Sequence, residues 1–523
     1  MTIDSTPAPT RRGTSHGGLA LALICIAQLM VVLDSTIANI ALPYIGRDLD
    51  MGQSSLSWVI TAYALTFGGF LLLGGRTGDL FGRRRAFMFG LVLFAIASLV
   101  GGFAQNETML LVSRAVQGLG AAFASPNALA LITTTFEPGP RRSRAFAVYA
   151  IMSGVGAAIG LLLGGWLTGL DPTWFGHAID GWRFTFLINV PIGIGAAVLA
   201  LVVLAESDRH AGELDVPGAI TATAGLLSLV FGITRAGDAN YGWGDPWTIT
   251  ALAGGVVLLT LFALVESRVE HPLLPFRILA DRDRLASYLV MALVPAAMFT
   301  LFFFITLVFQ GPLGHSPMET GLMFLPFSIT MILWAALGVQ RLVQRVNPGI
   351  LAGIGALVAS VALIGLSRMP YDDGRLTVDV SYVKDALPYL ILMPLGMSMV
   401  FIPITMSVVH RVSARDSGIA SGVLNAMQQI GGALGLATIS TIALHVSTGA
   451  GKDLVKGLGT ATDPHKLVAA QEVAFMHGAE VGFRVGAGML IVAALIAFFF
   501  NRIKLADLQN HEVEAPPEPT HAR

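Results

Sequence analysis

The chain has 523 residues, of which 54% are hydrophobic and only 12% charged, with a formal net charge of -1. Soluble domains carry about 25% charged residues, so this much apolar sequence calls for a bilayer rather than a water-soluble core, and the near-zero charge provides no field for nucleic acid. The lone cysteine, Cys25, excludes an intrachain disulfide and a cysteine metal cluster, and the eleven histidines form no HExxH or tight pair, so neither a metal nor a cofactor is expected.

A membrane span needs about 20 mainly apolar residues. Fourteen segments qualify: 19–42, 57–75, 86–104, 109–132, 145–168, 184–204, 216–235, 247–265, 286–309, 320–338, 349–367, 386–409, 419–445 and 481–500. The first begins after Arg11 and Arg12, as a signal peptide would, but its apolar run is longer than the roughly 7–15 residues of a signal h-region. It is read as a retained span. The segments at 1–16 and 505–523, the latter with Pro516, Pro517 and Pro519, read as disordered tails. An even number of spans puts both termini on one side. Most of the 32 Lys and Arg residues then fall in segments on that side, which marks it as cytoplasmic. The acidic stretch 205–215 fits this placement least well, and two long outer loops are expected near 368–385 and 446–480. The spans are rich in Gly and Ala, which lets helices approach closely where lipid supplies no hydrophobic drive.

After span two the chain reads Gly75-Arg76-Thr77-Gly78-Asp79-Leu80-Phe81-Gly82-Arg83-Arg84-Arg85. A short connection is expected here, with glycines supplying positive φ and Asp79 accepting from helix N-terminal amides and pairing with arginines. Such a loop is a candidate latch for one conformational state. The string resembles the loop signature GxLaDrxGrkxxl of the major facilitator superfamily. Other segments resemble its fourteen-span drug–proton antiporter branch, the EmrB/QacA type. Leu33-Asp34-Ser35-Thr36-Ile37-Ala38-Asn39-Ile40-Ala41-Leu42-Pro43 is similar to the first-span motif and Arg114-Ala115-Val116-Gln117-Gly118-Leu119-Gly120 to the fourth-span motif. Trp182-Arg183-Phe184 with Asn189-Val190-Pro191-Ile192-Gly193 looks like the sixth-span opening. Phe309-Gln310 with Ser316-Pro317 and Gly321 looks like the ninth-to-tenth connection, and Ser417 to Gly422 like the start of span thirteen. The resemblance runs through residues 18–500 in order. One departure stands out: span five has Gly160-Leu161-Leu162-Leu163-Gly164-Gly165 where the branch carries GPxxGG, so the proline is absent. Gly156, Gly160, Gly164 and Gly165 keep the small-residue spacing of a helix-packing motif.

The resemblance implies an all-α membrane protein of the major facilitator fold: a six-helix bundle over 18–204, an inserted helix pair and linker over 205–285, and a second six-helix bundle over 286–500. The halves echo one another as parallel repeats should. Gly75-Arg76 at the end of span two corresponds to Gly338 with Arg341 and Arg345 after span ten, and Gly431-Gly432-Ala433-Leu434-Gly435 mirrors the glycines of span five.

Asp34 is the one carboxylate well inside a predicted span. A charge at the bilayer centre costs about 2.5–3.5 kcal/mol on insertion scales. Arg114 is its expected partner: counted from the span ends at 1.5 Å per residue, the two lie within about 6 Å in depth. Two alternatives stand, a static structural ion pair and a proton or cation-substrate site. Polar residues available to line a substrate cavity are Gln28, Asn39, Trp58, Tyr63, Gln117, Asn127, Gln310, Asn425 and Gln428; each on its own also suits a helix-packing hydrogen bond.

The function implied is secondary active export of small amphipathic or cationic molecules, coupled to proton antiport by alternating access, in the bacterial cell membrane. Partners are then a small-molecule substrate, protons and the bilayer, with a monomer expected. No Walker string is present, so a nucleotide is not the direct driver. The same fold also suits export of a lipid, siderophore or endogenous metabolite, whereas a channel or membrane enzyme lacks a repeated pore loop or nucleophile–base string.

Overall fold

The computed structural model describes residues 17–503 other than 138, 171–172, 175–176, 208–213, 239–240, 270–271, 411, 413–415 and 459–462, together with residue 505. The tails expected at 1–16 and 505–523 lie outside the described residues, Leu505 apart. Among the described residues, fourteen helices are long and apolar enough to span a membrane. They are α1 (Gly17–Asp48), α2 (Gln53–Phe81), α3 (Arg83–Gly102), α4 (Glu107–Thr135), α5 (Pro140–Thr168), α6 (Trp182–Val203) and α7 (Val216–Gly237). Then follow α8 (Pro246–Glu266), α9 (Arg282–Gln310), α10 (Pro317–Leu342), α11 (Pro348–Leu366), α12 (Tyr382–Val409), α13 (Ser417–Gly457) and α14 (Pro464–Phe500). All fourteen predicted spans coincide with one of these helices.

The helix ends follow local chemistry. Asn106 caps α4 by accepting from the Met109 amide at 2.9 Å, Ser316 and Glu319 form a capping box at the start of α10, and Asp215 and Asp281 cap α7 and α9. Two expectations are corrected. The segment 446–480 is not a long loop: α13 continues to Gly457 and α14 begins at Pro464. At about 1.5 Å per residue these helices outrun the roughly 30 Å hydrocarbon layer. The hydropathy drop near residue 445 marks where apolar sequence ends, and the alanine-, lysine- and leucine-containing chain stays helical beyond it. The second correction concerns the short connection after span two. Gly75 through Phe81 are helical, and the break falls at Gly82 alone, with φ 109°. Gly78 is there for packing, since a Cβ would lie 1.7 Å from Asn127 Oδ1 on α4.

Helix α1 packs on α5, and α2 and α3 pack on α4; in the second half α9 packs on α13 and α14, and α11 on α12 and α14. The glycines of α5 set its contact with α1: a Cβ on Gly156 would lie 2.9 Å from Leu29, on Gly160 1.9 Å from Thr36 Oγ1, and on Gly164 3.1 Å from the Ile37 backbone. Gly435 repeats this arrangement in the second half, against Ala296 of α9. The inserted pair α7–α8 is not set apart from the bundles. Helix α7 packs on both α2 and α13, so it covers the seam between them.

The two bundles share an apolar core at the Pro43 end. There, Ile40, Leu42 and Ile45 of α1 and Trp182 and Phe186 of α6 are continuous with the core of α9–α14. Toward the Gly82 end the first bundle closes on a core of its own, with Leu23, Ile24, Phe87, Phe94 and Leu131. At the joined end α5 crosses α10 through two glycines, Gly165 against the Pro317 carbonyl and Gly321 against the Leu161 carbonyl, each with room for no Cβ (2.6 and 2.5 Å). Gly165→Leu should therefore force α5 from α10. A cysteine placed at Leu161, which is 1% exposed, should then be alkylated at least about tenfold faster than in the otherwise unchanged protein, because a packed crossing cannot absorb four extra carbons. Equal rates would show that the crossing does not hold this end shut.

Candidate functional site

An ionised carboxylate inside an apolar bundle is tolerated only when its oxygens are bonded. Asp34 and Arg114 are 2% and 1% exposed, and Arg114 Nη1 donates to Asp34 Oδ2 at 2.6 Å. Asp34 Oδ1 accepts from Gln117 Nε2 and from Asn189 Nδ2 at 3.0 Å. Gln117 Oε1 accepts from Arg114 Nη1 at 3.0 Å and its amide nitrogen reaches Ser98 Oγ at 2.8 Å. Arg114 Nε donates to the Val59 carbonyl at 2.7 Å. The guanidinium carbon lies 4.4 Å over the Tyr63 ring and 5.8 Å from that of Phe186. One charge pair thus ties together α1, α2, α3, α4 and α6, all of the first bundle.

Local sequence puts these groups in place. Arg114 and Gln117 are three apart on α4 and so share a face. Gly118 lets α4 approach α2, where a Cβ would strike Tyr63 O at 2.3 Å. Asn189 projects from the point where α6 is interrupted, between Leu187 and Asn189. The α6 opening is pinned to the end of α1: Asp48 Oδ2 accepts from Arg183 Nη2 at 2.6 Å and from Trp182 Nε1 at 3.1 Å.

The other expected cavity residues are dispersed. Gln28 accepts from the Tyr149 hydroxyl at 2.7 Å, and Asn39 donates to Ser35 O within its own helix. Trp58 donates to Thr234 Oγ1 on α7 at 3.1 Å, so it is engaged by the inserted pair. Asn127 ties α4 to α2 through the Gly74 carbonyl at 2.9 Å. Gln310 of α9 donates to the Ile40 carbonyl of α1 at 3.0 Å and so bridges the bundles at their joined end. Asn425 is exposed and bonds Ser421 O, and Gln428 is half-buried beside Met291 Sδ.

At the Gly82 break, Asp79 pairs with Arg83 at 3.2 Å, and Arg83 also donates to Ala130 O and Thr133 Oγ1 of α4. The expectation that Asp79 accepts from helix N-terminal amides is corrected. Glu206 takes the Arg84 amide at 3.1 Å and Ser207 the Arg83 amide at 3.1 Å, because α2 runs on to Phe81 and leaves Asp79 within it. Glu206 also lies 3.6 Å from both Arg84 and Arg85. Glu206 therefore serves the basic loop. Arg76 lies on α2, nearly two turns before this break.

Residues 24–436 match the profile of the Major Facilitator Superfamily. The chain belongs to that superfamily. A puromycin resistance protein of Streptomyces alboniger is 41% identical over 508 residues, covering 95% of this chain and 94% of that one. A cephamycin export protein of Amycolatopsis lactamdurans is 36% identical over 86% of this chain and 89% of its own. A tetracenomycin C resistance and export protein of Streptomyces glaucescens is 29% identical over 98% and 97%. Among solved structures, a bacterial homologue of the human lysosomal transporter Spinster superposes with a TM-score of 0.69 at 18% identity, covering 95% of this chain and 99% of that one. As a member of the superfamily the chain is a multi-pass membrane transporter and not an enzyme.

Truncating one member of a buried ion pair leaves its partner uncompensated, which costs about 3–5 kcal/mol. Arg114→Ala should therefore lower the unfolding temperature in detergent markedly. Asp34→Asn combined with Arg114→Ala should cost much less than the sum of the single changes, since contacting residues are non-additive. Additive losses would mean that the pair does not act as a unit.

Proposed function

We propose that this transporter exports small amphipathic molecules of the antibiotic type in exchange for protons, and that Asp34 is the proton-exchanging group. The observation that carries this is the buried Asp34–Arg114 pair bonded to side chains from several helices of one bundle. A proton on Asp34 cancels the charge that holds Arg114 Nη1, Gln117 and Asn189. Arg114 keeps the Val59 carbonyl, Gln117 Oε1 and the Tyr63 ring in either state. Two bonding patterns of similar quality, differing in how α1 is held to α4 and α6, are what a switch needs. The names of the relatives support export of antibiotics: one is a resistance protein for puromycin and another exports cephamycin. The excess of arginines and lysines on the Gly82 side supports cytoplasmic termini. Bundles that share a core at the Pro43 end, with the first bundle closing on a core of its own toward the Gly82 end, then fit a substrate path open to the cytoplasm. Gly75, Arg76, Gly78, Asp79, Gly82, Arg83 and Arg84 would latch the cytoplasmic ends of α2, α3 and α4 through Arg83 and Glu206.

The test is puromycin uptake into everted vesicles under an imposed pH gradient, acidic inside. Wild-type protein should accumulate the drug. Asp34→Asn, inserted at normal level, should show no gradient-dependent uptake. Retained uptake would remove Asp34 from the coupling. Asp79→Asn should slow uptake while leaving puromycin binding to purified protein intact, because it loosens Arg83 far from the buried pair. Lost binding at an unchanged rate of cycling would contradict the latch.

A further inference from the structure

The inserted helix pair buries a second set of charges that the Asp34 scheme does not use. Asp215 caps α7 and Glu266 is the last residue of α8, so the two helices bring their carboxyls together at the Gly82 end. They are 5% and 3% exposed, and each carboxyl stands close enough to the other to feel its charge. One oxygen of each is occupied: Asp215 Oδ1 accepts from the Gly218 amide at 2.8 Å, and Glu266 Oε2 from the Leu274 amide at 3.1 Å. The other two, Asp215 Oδ2 and Glu266 Oε1, are buried with no donor. Among the described residues no cation lies within ion-pairing distance of either. On the elements packed around them, α2 presents the apolar side chains of Phe70, Leu72 and Leu73. Arg83, next to α2, is paired with Asp79, and Arg277 of the linker is paired with Asp416 at 2.8 Å. Arg76 on α2 and Arg268 just past α8 form no ion pair with either carboxylate. Two adjoining carboxylates out of water cannot both stay ionised without a cation, and the arrangement that satisfies both orphan oxygens is one proton held between them.

The position gives that proton leverage. The chain after Glu266 passes from one bundle to the other. Leu273 packs with Leu73 of α2 and Ala219 of α7. Leu274 and Ile278 pack into the core of the second bundle, where Ile278 O accepts from Arg284 Nη1 of α9 at 3.2 Å. Glu266 holds the Leu274 amide at this crossing. The strap thus joins α2 to α9 at the Gly82 end.

We propose that Asp215 and Glu266 form a proton-binding site that holds one shared proton and fastens the linker strap between the two bundles. When the proton leaves, two buried carboxylates repel. Glu266 then withdraws from Asp215 and releases the Leu274 amide, so the strap loosens. The inference goes beyond the Asp34 reading and does not depend on it.

The test uses the full chain in lipid nanodiscs, with spin labels at two exposed positions, Phe81→Cys on α2 and Phe276→Cys on the linker, Cys25 being buried. Labels are attached before the pH is varied, and the separation is read by double electron–electron resonance. In the otherwise native chain the short-distance population should fall by about fivefold or more between about pH 5 and about pH 9, because the deprotonated pair destabilises the fastened state. Glu266→Gln donates an amide N–H to the Asp215 carboxylate at every pH, and Asp215→Asn does the same toward Glu266. Either variant should keep the short distance across the range. The proposal is overturned if the native distribution does not change with pH, or if its pH response survives in the variants. An unchanged response in Asp34→Asn separates this site from the coupling site.

Discussion

The first bundle is organised around one charge pair taken out of water. Asp34 and Arg114 would each be intolerable alone in an apolar bundle, and their mutual contact at 2.6 Å satisfies only part of either group. The remaining valences recruit Gln117, Asn189 and the Val59 carbonyl. Every helix that contributes a partner must then approach within hydrogen-bond distance of the same point. Gly118 has no room for a side chain against α2, and Gly160 none against α1. Their spacing is the steric counterpart of the electrostatic requirement.

Small residues decide the architecture elsewhere for a related reason. In lipid, helices gain nothing from hiding apolar surface, so close backbone approach and a few polar bonds carry the association. Gly165 and Gly321 make the crossing of α5 and α10 possible, and Gln310 adds a hydrogen bond from α9 to the Ile40 carbonyl beside it. The joined end of the molecule therefore rests on close backbone approach and a few polar bonds beside the shared core. Alternating access by rocking one bundle on the other needs contacts of this kind.

The inserted pair is a working part of the structure. Helix α7 bonds to the first bundle through Trp58 and Thr234, and to the second through Thr441 Oγ1 and the Ile233 carbonyl at 3.1 Å. It lies across the α2–α13 seam, so any change in the angle between bundles must move it or be limited by it. The linker that leaves the pair crosses the same boundary at the other end, through Leu273 and Ile278.

The sequence by itself determined the class of protein, the fourteen spans, the superfamily and the Asp34–Arg114 pair. Long apolar runs, glycine spacing and a single carboxylate well inside a predicted span are signals written in local composition and in residue depth. Helix length beyond the membrane was not legible at α13 and α14, because hydropathy reports where apolar sequence ends and not where the helix ends. Nor could sequence separate turn glycines from packing glycines around residue 78, since both are simply glycine until the neighbouring helix is known. Ser98, Val59 O, Glu206 and the Asp215–Glu266 contact belong to the tertiary structure alone. Each joins residues far apart in the chain whose local sequence carries no charge pattern or spacing that marks them as partners. The distribution of the polar residues is of the same kind: a hydrogen bond to the next helix and a place in a shared cavity demand the same side chain, and only the packing decided that Trp58 faces α7, Asn127 faces α2 and Gln310 spans the bundles.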